Sequence, residues 1–261
     1  MVKTTALHDK TAIESFLRKN PYLHIYSIGD LDDFFWQYTT WYGLEENEEI
    51  RAVALMYTGQ ALPTLLALSE DKPVIQALLE SIMHILPVSF YAHLSLGLEH
   101  IFKEHYRVQS HGEHYKMALV DTSPLRDIDC SQTVRLSIGD LDEVRQLYEK
   151  GYSGNWFDPR MLETNQYFGI RIENRLVSVA GVHVYSERYR VAALGNITTH
   201  PDHRNRGYGT TVTAKLCQSL SERVDHIGLN VKADNDIAIS CYRKLGFETV
   251  ASYAEHTVER K

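Results

Sequence analysis

The segment that decides the fold spans residues 197–210 and has the sequence ITTHPDHRNRGYGT. It begins as an apolar strand, is interrupted by a proline, and passes through a basic, glycine-containing turn into a helix. Gly207 and Gly209 allow the backbone to approach a ligand closely. The free N–H groups and the dipole at the helix start, together with Arg204 and Arg206, favour a bound anion. The segment therefore predicts a diphosphate site, with a basic surface turn as the alternative.

Two common phosphate-binding motifs do not explain this turn. A Walker loop would end in Gly-Lys-Ser or Gly-Lys-Thr, and the turn does not. A Rossmann fingerprint needs a third small residue, and Val212 stands at that position.

A second segment, residues 235–247, completes the pattern. Asn235 follows a predicted strand, Tyr242 lies on a short helix, and Gly246 ends that helix. Together the two segments resemble the GCN5-related N-acetyltransferase (GNAT) family, and the resemblance covers residues 133–258. The matching patterns are Arg204-x-x-Gly207-x-Gly209 and Asn235-x-x-Ala238-x-x-x-Tyr242-x-x-x-Gly246-Phe247.

The resemblance implies an α+β fold with a mixed, mostly antiparallel sheet flanked by helices. Both halves of the chain show a similar order of helix and strand patterns, which predicts two tandem GNAT-like domains. A polar, turn-rich segment separates residues 1–121, the N-terminal domain, from residues 130–261, the catalytic domain.

The first half is expected to be a degenerate copy. Glu70 and Asp71 stand at its strand-to-helix junction, which has no glycine, and both carboxylates would repel a pyrophosphate. An independent partner-binding module is the alternative.

The resemblance also implies acetyl-CoA as the cosubstrate and no metal. The pantetheine amides would pair, as an added strand, with the backbone of Ile197, Thr198 and Thr199. The pyrophosphate would be held by backbone N–H groups of Arg204, Asn205, Arg206, Gly207, Tyr208, Gly209 and Thr210. Asn235 would hydrogen-bond the pantetheine arm, and Tyr242 would protonate the departing thiolate.

The role implied for Tyr242 agrees with the chemistry of a phenol. A side-chain pKa near 10 keeps the phenol protonated at neutral pH, so it can give its proton to a developing thiolate. A core aromatic on a short helix is the alternative interpretation.

The sequence does not identify the general base that would deprotonate an acceptor amine. No Glu lies in the strand at residues 191–199, which departs from several members of the family. The candidates are His183, Glu187, His200 and Asp158. A chain of water molecules is the default.

Three further groups of residues have other interpretations. The loop at residues 155–158 has the sequence NWFD. Its aromatic side chains either line the acceptor site or pack inward and hold the loop in place. His200 and His203 lie in a turn, and we expect no metal there. Cys241, on an apolar helix, is interpreted as a buried, unreactive thiol.

The composition and charge of the chain indicate which partners and locations to expect. The chain has 261 residues, 44% of them hydrophobic, and 27 Lys and Arg against 34 Asp and Glu, for a net charge of −7. We therefore expect no nucleic-acid and no membrane partner. The three cysteines are scattered, the start is polar, and no apolar run reaches the roughly 18 residues of a membrane span. These features predict a cytoplasmic location.

Local patterns predict individual elements. Asp9 is a candidate cap for a helix that carries Ile13 and Leu17. Ser69 is a candidate cap for a helix that extends to about Leu86, and the aromatic-rich residues 34–42 predict a strand.

The expected function is transfer of an acetyl group from acetyl-CoA to an amine by direct attack. The acceptor is a small-molecule or protein amine, and its identity, the preferred acyl chain and a homodimeric state stay open. The alternative is a non-catalytic regulatory module of the same fold that binds CoA or another effector.

Overall fold

The computed structural model describes residues 2–261. The strands, in chain order, are β1 (Val2–Leu7), β2 (Thr39–Glu46), β3 (Glu49–Tyr57), β4 (Thr64–Ala67), β5 (Ser89–Leu94), β6 (Tyr106–Leu119), β7 (Thr133–Arg135), β8 (Phe168–Ile172), β9 (Arg175–Ser186), β10 (Val191–Thr199), β11 (His226–Lys232) and β12 (Phe247–Arg260). The α-helices are α1 (Lys10–Leu17), α2 (Ile25–Gly29), α3 (Asp33–Trp36), α4 (Lys72–Ile82), α5 (Leu141–Gly151), α6 (Tyr208–Ser221) and α7 (Asp236–Lys244). None of the described helices is long and apolar enough to cross a membrane.

The chain forms two compact units. Unit 1 contains the chain up to Lys116, with Lys232–Asp234 and Val250–Lys261. Unit 2 contains Met117–Val231 and Asn235–Thr249. The sequence predicts one domain over residues 130–261, whereas the structure groups the last twelve residues with unit 1. Sequence order alone therefore does not define the units.

Unit 1 is built on a mostly antiparallel sheet in the order β1-β2-β3-β4-β5-β12. Its parallel pair is β4 with β5, and α4 connects these two strands. The buried face of α4 carries Ile75, Leu78 and Leu79, which pack in one core with residues of β3 and β4 such as Ala54 and Leu65. Burial of this apolar stripe holds the helix against the sheet.

Unit 2 repeats this order with the strands β7-β8-β9-β10-β11. The pairs are antiparallel except for β10 with β11, which are parallel and joined by α6. In β9 the residues from Leu176 to Val182 are buried without alternation, so both faces of this strand are covered. The mixed, mostly antiparallel α+β fold predicted from the sequence is confirmed in each unit.

Two local predictions need correction. The strand predicted over residues 34–42 begins only at Thr39, because the Asp32 side chain caps α3 by accepting a hydrogen bond from Phe34 N at 3.2 Å. The cap of α4 is Asp71, which accepts from Val74 N at 3.4 Å, rather than Ser69.

A largely buried polar cluster in unit 1 surrounds Glu255 of β12. Its carboxylate accepts hydrogen bonds from the hydroxyls of Tyr91 and Tyr253, each at 2.5 Å. The Nε2 atoms of His93 and His114 each lie 3.4 Å from one of the two carboxylate oxygens. Burial raises the pKa of Glu255, but the two imidazoles and the two hydroxyls outweigh this and lower it to about 2. These contacts, together with the pairing of residues 254–259 with β5, fix the register of the C-terminal strand in unit 1.

The placement of β12 predicts how fragments behave. A fragment of residues 130–261 keeps the segment that pairs with β5 but lacks β5 itself. We expect it to aggregate more than a fragment of residues 130–249, because an unpaired strand recruits other chains. Size-exclusion chromatography of both fragments beside the full chain is the measurement, and a monomeric 130–261 fragment as stable as the shorter one would contradict the prediction.

A second prediction concerns Asp30, which is 5% exposed. Burial raises the pKa of its carboxyl from 3.8 to about 8, so the folded chain holds a proton that the unfolded chain has lost. Between these two values folding takes up a proton, and Asp30 reduces stability increasingly as the pH rises. The free energy of unfolding of Asp30→Asn should therefore rise relative to that of wild type by about 1.4 kcal/mol per pH unit between roughly pH 4 and pH 8. Denaturant unfolding of both proteins at several pH values tests this, and a pH-independent difference would contradict it.

Candidate functional site

The central feature of unit 2 is an opening between its two parallel strands. β10 and β11 pair from Val191 with His226 to Leu194 with Leu229, and the pairing stops there. β10 continues for five more residues, to Thr199. Beyond Leu194 the described main chain of β10 therefore has no strand partner on that side, where another extended partner could pair.

Unit 1 closes the corresponding position. β4 and β5 stay paired to their ends at Ala67 and Leu94, and Ser95 N donates to Ala67 O at 3.2 Å. The Ser95 hydroxyl then accepts from Ser69 N at 2.9 Å and donates to Ser69 O at 3.0 Å. The described part of unit 1 therefore has no opening between its parallel strands.

The turn after β10 prepares the first turn of α6 for an anion. Gly207 is the N-terminal cap at φ 82°, a left-handed conformation that glycine adopts without strain. The first helical hydrogen bond is Thr211 N to Gly207 O at 3.0 Å. The N–H groups of Tyr208, Gly209 and Thr210 precede it and have no acceptor within the helix. They and the helix dipole create a local positive potential there.

The two predicted arginines make contacts within the protein. Arg204 donates from Nε to Thr199 O at 3.3 Å and from Nη2 to Gly151 O at 3.2 Å. Arg206 donates from Nη2 to Asp202 O at 3.4 Å. Arg204 therefore ties the end of α5 to the end of β10, which the sequence did not suggest.

Asn235 immediately precedes α7, and Tyr242 lies on this helix. The Asn235 side chain caps this helix by accepting from Ala238 N at 3.2 Å. Tyr242 is half-buried, with its ring centre 5.9 Å from that of Phe247. Burial, with smaller contributions from Cys241 and Tyr152, raises the pKa of Tyr242 above its ordinary value, so the phenol is protonated at neutral pH. The roles implied for both residues toward CoA stay predictions.

The structure separates the four candidates for the general base. Asp158 pairs with Arg160 at 2.5 Å, and Glu187 pairs with Arg223 at 2.6 Å. Hydrogen bonds from Tyr185 and Arg223 lower the pKa of Glu187, which weakens it as a base.

The two histidine candidates differ in position. His200 accepts a hydrogen bond from Asp202 N at 3.3 Å within its own turn. His183 lies over the Gly195 backbone, at the point where β10 leaves β11, so closely that a Cβ on Gly195 would meet the imidazole at 1.8 Å. His183 is therefore the candidate best placed beside the opening.

A ring cluster that the sequence analysis missed lies beside this opening. Phe157 packs with its ring centre 5.0 Å from that of Tyr148 and 5.9 Å from that of Tyr167. Tyr148 also donates a hydrogen bond to Asn196 O of β10 at 2.9 Å. Phe157 thus anchors its loop, which is one of the two roles that the sequence left open. A polar residue within an apolar strand, Asn196, was the signal that could have revealed the cluster.

A metal site and a separate pocket were also considered. No group of three or more His, Cys, Asp or Glu side chains within residues 2–261 is arranged to hold a metal ion. A pocket of about 320 Å³ is lined by Arg135, Glu187 and Arg223, among others, and by none of the predicted acetyl-CoA residues.

The opening and the glycine turn can be compared with known proteins. Residues 136–247 match the model of the acetyltransferase (GNAT) family. This range contains β10, the turn, α6 and α7, so the segment that carries the opening and the turn matches the family that the sequence predicts.

Individual relatives extend this comparison. An uncharacterised protein of Mycobacterium leprae is 31% identical over 126 residues, which are 44% of this chain and 34% of that protein. The chain thus spans about a third of the length of the curated relative that it matches.

Two solved structures share the fold over nearly the whole chain. A Drosophila protein has a TM-score of 0.73 at 10% identity, over 98% of both chains. A tandem GNAT protein from the clavulanic acid biosynthesis pathway has a TM-score of 0.59 at 14% identity, also over 98% of both chains. The tandem arrangement of two GNAT-like folds predicted from the sequence therefore has a structural counterpart.

The α6 N-terminus predicts a matched pair of variants. Outside its own helix, a Cβ at Gly209 would meet only Thr199 Oγ1, at 3.4 Å, so Gly209→Ala should fold and keep the wild-type affinity for the predicted ligand, acetyl-CoA. Gly209→Asp adds a negative charge beside the free N–H groups and should lower acetyl-CoA affinity at least tenfold. Calorimetric titration of both variants measures this, and equal affinity in the two would contradict the anion site.

Proposed function

We propose that this chain transfers an acetyl group from acetyl-CoA to an amine. The observation that carries the proposal is the divergence of β10 from β11, followed at once by the glycine turn and the α6 N-terminus. An extended pantetheine arm suits the unpaired edge of β10, and a pyrophosphate suits the N–H groups of the first turn of α6. The GNAT-family match over residues 136–247 supports this assignment.

The residues of the turn fit the proposed cosubstrate. Apart from its chain neighbours, Gly207 has no atom within 4 Å of the position of a Cβ, and Gly209 has only Thr199 Oγ1 outside its own helix. The backbone of the turn is therefore accessible to a bulky anion. Ile197, Thr198 and Thr199 supply the strand edge, and Asn235 lies at the start of the helix that carries Tyr242.

In the proposed reaction the amine nitrogen attacks the acetyl carbonyl carbon. A C–N bond forms, the C–S bond breaks, and the sulfur leaves as a thiolate that takes a proton from Tyr242. The amine loses one proton, and His183, over Gly195 at the opening, is the candidate base to receive it. Tyr242 regains its proton from solvent before the next turnover.

The acceptor is a small-molecule or protein amine, and a homodimer is compatible with this function. We place the protein in the cytoplasm, in keeping with its three scattered free cysteines. The decisive experiment is turnover of acetyl-CoA with a panel of amines, amino acids and peptides, followed by mass measurement of the product. Binding of acetyl-CoA without turnover on any amine would favour a regulatory module instead.

Tyr242→Phe tests the proposed acid. The change removes one hydroxyl and keeps the ring beside Phe247, so packing should survive. Because a phenol is a weaker acid than a thiol, its proton transfer gives modest help, and kcat should fall about tenfold to a hundredfold with acetyl-CoA affinity nearly intact. Steady-state kinetics beside a binding titration measure both quantities. A wild-type kcat, or a joint loss of binding and thermal stability, would return Tyr242 to the core-aromatic interpretation.

A further inference from the structure

β10 contains a bulge at the place where it leaves β11. Gly195 pairs with Gly181 of β9, but the next paired residue of β10 is Thr198, opposite Val179. Two residues of β10 therefore face one residue of β9. The first of them, Asn196, has φ 54°, which is a left-handed conformation that Asn tolerates better than most residues.

Two buried tyrosines hold this bulge on both sides of Asn196. Tyr148 of α5 donates from its hydroxyl to Asn196 O at 2.9 Å. The Asn196 side chain donates from Nδ2 to the Tyr167 hydroxyl at 3.3 Å, and that hydroxyl donates to Val182 O at 3.1 Å. All three side chains are at most 5% exposed. Burial raises the pKa of both phenols, so they remain donors at any physiological pH.

The direction of these bonds fixes the orientation of the Asn196 amide. The Tyr167 proton is committed to Val182 O, so this hydroxyl can only accept from Asn196, which must present its NH₂ group. The amide oxygen then points elsewhere, and this buried atom finds no hydrogen-bond partner within residues 2–261.

This arrangement costs stability. A buried acceptor without a partner and a left-handed non-glycine residue are both unfavourable. Glycine at position 196 would avoid both costs, but it would also lose the hydrogen bond that ties the bulge to Tyr167. The chain nevertheless has asparagine at position 196, beside the opening, and bears both costs there. Function therefore explains this residue better than stability does.

We propose that Tyr148, Asn196 and Tyr167 are positioning residues that hold the bulge of β10 in the geometry needed for acetyl transfer. The inference rests on the proposed function, because the bulge matters for catalysis only if the opening receives the acetyl group. The network acts on the main chain of residues 195–199, which fixes where the carbonyl to be attacked lies relative to the amine. Loss of the network should therefore reduce kcat more than acetyl-CoA affinity.

Three variants test the network. Tyr148→Phe removes one hydrogen bond and leaves the ring against Phe157, and Asn196→Gly keeps the left-handed backbone but removes the amide. The third variant combines both changes. Tyr106→Phe is the matched control, since Tyr106 is a buried tyrosine of unit 1 whose hydroxyl lacks a partner in the described chain.

The first measurement does not depend on activity. Hydrogen–deuterium exchange of the amides of residues 195–199 should speed up at least tenfold in Tyr148→Phe and in Asn196→Gly, and should not change in Tyr106→Phe. Unchanged exchange in both network variants would overturn the proposal.

The second measurement separates this proposal from the proposed function. With an amine that wild type acetylates, each single network variant should lose about tenfold in kcat while acetyl-CoA affinity stays within about threefold, and the double variant should lose no more than the worse single variant. A wild-type kcat in the single variants, or an equal loss of affinity and kcat, would overturn the positioning role. If wild type acetylates no amine, the proposed function fails, and a positioning role in acetyl transfer fails with it whatever the exchange shows.

Discussion

The departure of β10 from β11 after Leu194 and Leu229 is the constraint on which the rest of unit 2 depends. A strand that leaves its neighbour exposes main-chain N–H and C=O groups that need a new partner. In this chain the divergent segment is followed directly by a left-handed glycine and the free N–H groups of α6. An unpaired strand edge and an anion-attracting helix end are therefore contiguous, and an extended ligand with an anionic end matches both.

The two units have the same order of strands and helices, but only unit 2 has the opening and the glycine turn. Each has an antiparallel meander, a helix and a parallel strand in the same order. In unit 1 two serines, Ser69 and Ser95, continue the pairing past the strand ends, and Asp71 caps the helix that follows. In unit 2 a glycine caps the helix and the strands part. A hydroxyl bridge and an acidic cap thus replace the two features that would admit an extended ligand with an anionic end.

Unit 1 contains a cluster of interacting polar side chains. Glu255, two histidines and two tyrosines form a polar cluster, and the nearby Lys116, 2% exposed, has a pKa lowered by burial to about 7. Buried polar groups of this kind cost free energy unless fully hydrogen-bonded, and in return they favour one strand register over its neighbours. The cluster therefore specifies where the C-terminal strand pairs, which an apolar strand of similar length would leave less defined.

The sequence by itself determined the features that depend on neighbouring residues. The segments at 197–210 and 235–247 predicted the turn, the two helices and the family, because caps, glycines and apolar periodicity act over a few residues; Asp9 likewise caps α1 as predicted. Tertiary structure decided what depends on distant residues. The contacts of Tyr148 and Tyr167 with Asn196 join positions 48 and 29 residues apart, and Tyr91 meets Glu255 across 164 residues. No local pattern encodes such pairs, since their partners meet only after strands and helices have packed.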